Sequence, residues 1–239
     1  MKKLFIAIAL IAATFSASAQ DIFNHLSIGA GIGTTGISVE VATPITRFLD
    51  LRAGASFVPG ITFNADADYT YTNPATGTPA TGTVNLKGDF GRVQGQVILN
   101  FYPAPVVPFY IAAGAYFGGE KLMKITGHCD DYASIVDTYG EAIIGGYKIP
   151  ADQNGNISGG FKVHNFRPYV GIGWGRAIPG KLVNFAVDLG VQIQSKPKLY
   201  TDYGEIDESA IEDDNTFNKI ANALKVYPTL TFHLNFRAF

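Results

Sequence analysis

The sequence predicts an all-β fold, an eight-stranded antiparallel up-and-down transmembrane β-barrel with long extracellular loops. Three observations carry that prediction. Eight segments alternate apolar residues with small or polar ones at the two-residue period of a strand with two unlike faces. The polar side of those segments is mostly Gly, Ser, Ala, Asn and Gln with no lysine. That chemistry suits a narrow lumen better than bulk water, because glycine weakens a strand interior that has nothing to gain from it. The connections sort by parity, short at one end and long at the other, as in barrels that cross a bilayer.

The chain opens with a leader. Lys2 and Lys3 precede an apolar run over residues 4–15, and Ala17, Ser18 and Ala19 supply a small-residue cleavage site. Residues 1–19 therefore read as a signal peptide and residues 20–239 as one barrel domain. No cysteine follows the apolar run, which argues against a lipoprotein anchor. The formal charge of −2 includes Lys2 and Lys3, so the chain without its leader carries −4. That mild acidity argues against nucleic acid as a partner, since a phosphate backbone calls for a basic face. Cys129 is the single cysteine, so no intrachain disulfide forms. Beyond the leader no apolar run approaches the length of a helical span, so entry into a membrane requires a closed barrel.

The strands follow in order. Ile28, Ala30 and Ile32 oppose Ser27, Gly29, Gly31 and Gly33 in the first; Ile37, Val39 and Val41 oppose Ser38, Glu40 and Ala42 in the second. The third sets Leu49, Leu51, Ala53, Ala55 and Phe57 against Asp50, Arg52, Gly54 and Ser56. In the fourth, Val93, Val97, Leu99 and Phe101 oppose Arg92, Gln94, Gln96 and Asn100, with Gly95 and Ile98 out of pattern. The fifth alternates over 109–117 and the sixth over 169–175. The seventh, 183–194, is the most regular, with Val183, Phe185, Val187, Leu189, Val191 and Ile193 on one side. The eighth sets Leu230, Phe232, Leu234, Phe236 and Ala238 against Thr229, Thr231, His233, Asn235 and Arg237.

Proline-containing turns join strands two to three, four to five and six to seven, at Pro44, at Pro103, Pro105 and Pro108, and at Pro179. Long links cover 59–89, 118–166 and 196–225, while Thr34 and Thr35 form the one short link on that side. An even strand count with this sorting places both termini in the periplasm. The first long link holds two strand-like runs, 62–72 and 81–90, which form a hairpin above the membrane or, alternatively, two further barrel strands. The interruption at Pro59 and Gly60 favours the hairpin. Strand character also resumes at 121–125 and 142–149.

The segments YPAPVVPFYIAAGAYFG (102–118), RPYVGIGWGRAIP (167–179) and LTFHLNFRAF (230–239) resemble small outer-membrane barrels of the OmpA/OmpX type, in the style seen in Bacteroidota. The resemblance is one of pattern and covers nearly the whole chain after the leader. It implies residence in a bacterial outer membrane, contact with outer-membrane lipid, and recognition of the last strand by the barrel-assembly machinery. The terminal Phe239 resembles that recognition signal, although it falls on the opposite parity from Phe232, Leu234 and Phe236. The chain ends at the barrel, without the peptidoglycan-binding domain of the OmpA type.

Candidate chemistry is sparse. Six charges fall on the lumen side: Glu40, Asp50, Arg52, Arg92, Asp188 and Arg237. A charge in a narrow interior is costly when unpaired, so these are expected to pair into a network that plugs the barrel. A small polar pore or gate is the alternative. His233 is lumen-facing by parity and has no clear serine partner, so it reads as a hydrogen-bonded plug residue rather than the base of a lipid-modifying enzyme. His128, Cys129, Asp130 and Asp131 are contiguous, which seldom suits one metal. The run from Asp202 to Asp214 carries seven acids and no base, and has no calcium-loop spacing; a capping box at Ser209 and Glu212 heads a short amphipathic helix over 209–225. The glycine runs 29–33 and 171–175 lack the following helix of a phosphate loop. Trp174, Tyr102, Tyr110 and Tyr227 are expected at the membrane interface. No catalytic, cofactor or metal site is expected, and a ligand, if any, binds through the loops.

Overall fold

The computed structural model describes residues 25–72, 76–128, 141–144, 147–150, 154–201, 204–205 and 225–238. The leader, Cys129 to Asp131, most of the acidic segment and its capping helix, and Phe239 lie outside the described residues. Sixteen strands run in chain order as β1 (Ser27–Gly33), β2 (Gly36–Thr46), β3 (Leu49–Val58), β4 (Thr62–Thr72), β5 (Pro79–Asp89), β6 (Arg92–Phe101), β7 (Phe109–Phe117) and β8 (Lys121–His128). They continue as β9 (Glu141–Ile144), β10 (Tyr147–Pro150), β11 (Asn156–Lys162), β12 (Arg167–Trp174), β13 (Val183–Ile193), β14 (Lys198–Thr201), β15 (Gly204–Glu205) and β16 (Val226–Arg237). No helix occurs among the described residues.

Eight of these close into a barrel in the order β1-β16-β13-β12-β7-β6-β3-β2, every neighbour antiparallel. They are the eight alternating segments of the sequence. Closure leaves no free sheet edge, so every strand finds ladder partners on both sides. The alternation sets the facing of each strand: Ile32, Val39, Phe57, Val97, Ile111, Ile172, Leu189 and Phe232 all point outward and are exposed. Phe185 is 77% exposed and Ile32 64%. An apolar girdle of this size in contact with water would drive association; against hydrocarbon it costs nothing.

A second sheet, β15-β14-β11-β8-β5-β4, extends the wall. Its order repeats that of the barrel strands it continues: β3 runs on into β4, β5 returns as β6, β7 runs on into β8, β11 leads into β12, and β13 runs on into β14. Hydrogen bonds from Phe90 N to Ile61 O (3.3 Å) and from Val163 N to Glu120 O (2.9 Å) stitch the junctions. The 62–89 hairpin is thus a member of this upper wall, and the ten-stranded alternative does not occur. The wall rises from five neighbouring barrel strands. On the β1–β2 side, Thr34 and Thr35 close the hairpin directly, so the rim there is low. The end bearing this wall is the far end, and the end where β1 begins and β16 finishes is the near end.

Candidate functional site

The inward face of the barrel is where the charged and aromatic side chains converge. Its middle layer is built from six strands whose registers bring unlike chemistry to one level. Arg52 of β3 reaches across the diameter to Asp188 of β13, with Nη1 2.7 Å from Oδ2, and lies 3.5 Å from Glu40 Oε1 of β2. His233 of β16 stands between the two acids, Nε2 2.9 Å from Asp188 Oδ2 and Nδ1 3.3 Å from Glu40 Oε1. Gln96 Nε2 of β6 donates to Glu40 Oε2 at 3.1 Å, and the Tyr110 hydroxyl of β7 donates to Asp188. Arg52 and Glu40 are only 1–2% exposed. Two carboxylates thus share one guanidinium, with the imidazole ring between them.

Tyrosines fill the space around this cluster. Tyr102, Tyr110, Tyr116 and Tyr169 form one buried group with Ile98 and Ala112. Tyr102 and Tyr110 meet at a centroid distance of 5.3 Å, Tyr116 and Tyr169 edge-on at 5.5 Å. Glycines make their beds. A Cβ on Gly190 would lie 2.6 Å from the Tyr169 ring, and one on Gly173 would enter the Tyr110 ring. Gly190→Ala is therefore expected to destabilise the barrel by about 1–3 kcal/mol through overpacking, read as a lower unfolding midpoint in detergent. An effect within error would mean that Tyr169 moves freely.

The near end is closed by the β12–β13 connection, residues 175–182, which folds inward instead of turning back flush with the rim. Gly175 takes φ +121° to start this inward course, a backbone that other residues rarely adopt. Side chains from several strands then hold the turn by its backbone. Ser27 Oγ donates to Ala177 O at 2.6 Å, Asn184 Nδ2 and Asn235 Nδ2 donate to Arg176 O at 2.9 and 3.0 Å, and Ala177 N donates to Tyr102 Oη at 3.1 Å. The Arg176 guanidinium covers the Tyr102 ring at 4.5 Å.

At the far end, Arg167 is wholly buried. It donates to Gln94 Oε1 (2.9 Å) and to the carbonyls of Gly118 (2.6 Å) and His164 (3.2 Å), tying β12 to β6 and to two wall junctions. Arg92 of β6 crosses the mouth to the ring of Tyr227 on β16, 5.2 Å away.

Of the six charges expected to form one network, the structure brings Glu40, Arg52 and Asp188 into direct contact, sets Asp50 on their near-end side hydrogen-bonded to Tyr102, and keeps Arg92 and Arg237 apart. Register is the reason. Asp50 pairs across from Asn100 near the terminal end, Arg92 opens β6 at the far end, and Arg237 closes β16 at the near end, where its guanidinium lies 3.0 Å from His25 Nδ1. Tyr102 and Tyr110 are also corrected: both are lumen residues rather than interface residues, and Tyr227 turns toward the mouth, while Trp174 does lie on the outer face. Arg167 shares the parity of Tyr169, Gly171 and Gly173, so the alternation of the sixth strand, extended by two residues, marks it as inward-facing. Nothing comparable marks Arg176, which owes its position to an inturned loop. His128 pairs with Asn156 at 3.0 Å, and among the described residues no three metal-ligand side chains converge.

No protein-family model matches the chain, and no curated protein matches it. Solved structures do. Acinetobacter baumannii CarO2 is 18% identical with a TM-score of 0.49, covering 89% of this chain and 98% of that one. CarO of the same organism is 19% identical with a TM-score of 0.47, covering 88% and 96%. A major outer membrane protein from Thermus thermophilus is 14% identical with a TM-score of 0.36, covering 89% and 98%.

Proposed function

We propose that the chain is a bacterial outer-membrane barrel of the OmpA/OmpX kind that serves as a closed structural or surface-interaction element, with the near end and both termini periplasmic. The filled lumen carries this reading. Three successive levels are each occupied: an inturned loop, a charge cluster packed among tyrosines, and an arginine clamp. Asn100, Tyr110, Arg167 and Gln192 are all 0% exposed, and Glu40, Asp188 and His233 no more than 4%, so side chains fill the lumen at each of these levels. The same enclosure supports a role outside catalysis, since His233 is buried between Glu40 and Asp188. The girdle supports outer-membrane lipid as the surrounding partner and the barrel-assembly machinery as the agent of insertion. The upper wall, raised on five of the eight strands, is the surface left for an extracellular ligand.

Planar-bilayer recording tests the closed lumen. The purified chain is expected to insert without unitary current; reproducible single-channel steps would replace this reading with that of a narrow pore. Orientation is tested on intact cells, where an amine-reactive, membrane-impermeant label is expected to reach Lys87 and Lys124 of the wall and to miss a tag at the C-terminus.

A further inference from the structure

We propose that the far mouth of the lumen is an oxyanion-binding site formed by Arg92, Arg167 and Gln94. Arg167 is a buried cation whose hydrogen bonds all go to neutral acceptors, and its Nε has no partner. Gln94 is 1% exposed and gives its Oε1 to Arg167, which leaves its Nε2 without an acceptor. Arg92 lies two residues before Gln94 on the same strand, hence on the same inward face. It carries the same sign as Arg167 and faces the same mouth, since β6 and β12 both begin at the far end. Its own partner is the neutral Tyr227, through the ring face and a side-chain hydrogen bond. Among the described residues no carboxylate touches either guanidinium.

The middle layer shows how this chain treats a buried guanidinium when it completes the site internally: Arg52 meets two carboxylates. Among the described residues the mouth has two guanidiniums and an amide donor, and no such completion. Buried charges are ordinarily paired. A carboxylate or phosphate group supplies what is missing, because it accepts from several N–H donors at once in charge-assisted bonds. The exchangeable contact is the Arg92–Tyr227 stack. Arg92 is partly exposed at the rim, and a neutral ring with its hydroxyl holds it less firmly than an oxyanion does. The oxyanion takes the place of the ring on Arg92 and, as the rim opens around it, accepts in turn from Gln94 Nε2 and Arg167 Nε, which are enclosed in this structure. Its source is a solute anion or the phosphate of a lipid headgroup at the rim.

Calorimetric titration of the refolded full chain in neutral detergent with sodium phosphate, against sodium chloride at equal ionic strength, tests the site. Saturable phosphate binding is expected, weakened about tenfold or more in Arg92→Gln, which loses one charge-assisted contact. Tyr227→Leu, which releases Arg92, is expected to tighten it. Both variants sit at the rim, and retained compact mobility on unheated gels shows that they fold. In phosphatidylcholine nanodiscs, loss of the phosphate signal on adding phosphatidate identifies a headgroup as the occupant, and an unchanged signal identifies a solute. Absence of saturable binding in both the parent chain and Tyr227→Leu, or equal affinity in the parent chain and Arg92→Gln, overturns the proposal. Conductance is a separate readout, so a failure here leaves the closed-lumen reading standing.

Discussion

Arg52→Met is expected to destabilise the barrel by about 3–5 kcal/mol, the usual cost of removing one member of a buried ion cluster and leaving the rest uncompensated. Among the described residues Arg52 is the only guanidinium within reach of both Glu40 and Asp188, at 3.5 and 2.7 Å. Its loss leaves two buried carboxylates facing one imidazole. Burial of the replacement methyl-thioether recovers packing but not charge. The triple variant Glu40→Gln, Arg52→Met, Asp188→Asn removes all three charges together, and about 2 kcal/mol or more of the loss should return, because exchange of a whole buried ion cluster for neutral groups is often close to neutral. Urea titration of refolded protein in vesicles measures both. A single-variant effect within about 0.5 kcal/mol, the range of an ordinary surface change, would mean that water and not Arg52 balances the acids.

Leu189→Arg is expected to cost about 2–4 kcal/mol in lipid vesicles, the penalty for a cation near the midplane of a lipid-facing barrel wall. Leu189 lies midway along β13, paired with Ile172 and Leu230 and 56% exposed. The same exposure on a water-soluble surface would make the change nearly silent. Asn64→Arg, at an exposed position on β4 of the upper wall, is the control and is expected to shift stability by less than about 0.5 kcal/mol. Equal effects at the two positions would remove the distinction between the girdle and the wall.

The barrel was legible because its signal is strictly periodic. Each strand carries the two-residue alternation, and the loop lengths sort by parity, so count, direction and facing follow from local information. Ile98 was the instructive irregularity: an apolar residue on the inward face, 2% exposed, packed where the tyrosines gather. The lumen was legible only in composition. Whether Arg52 meets Asp188 or Asp50 depends on the stagger of strands on opposite sides of the barrel, and no local pattern encodes that stagger. The upper wall shows the same division. Strand character at 62–72, 81–90 and 121–125 was readable, but its assembly into one sheet in the order of the barrel beneath follows from closure. The inturned loop at 175–182 had Pro179 to suggest a turn, and nothing to say that it would enter the lumen.

The claim beneath all of this is that hydrocarbon wets the aliphatic side of each strand while the protein fills its own interior. Trp174 is the chain's single tryptophan, 55% exposed on the outer face beside Phe109, Ile172, Val187 and Leu189. Its fluorescence therefore reports on the girdle without any substitution. In vesicles, lipids brominated along their acyl chains should quench this emission strongly and aqueous iodide should leave it nearly unchanged; strong quenching by iodide with none from the brominated chains would contradict the account.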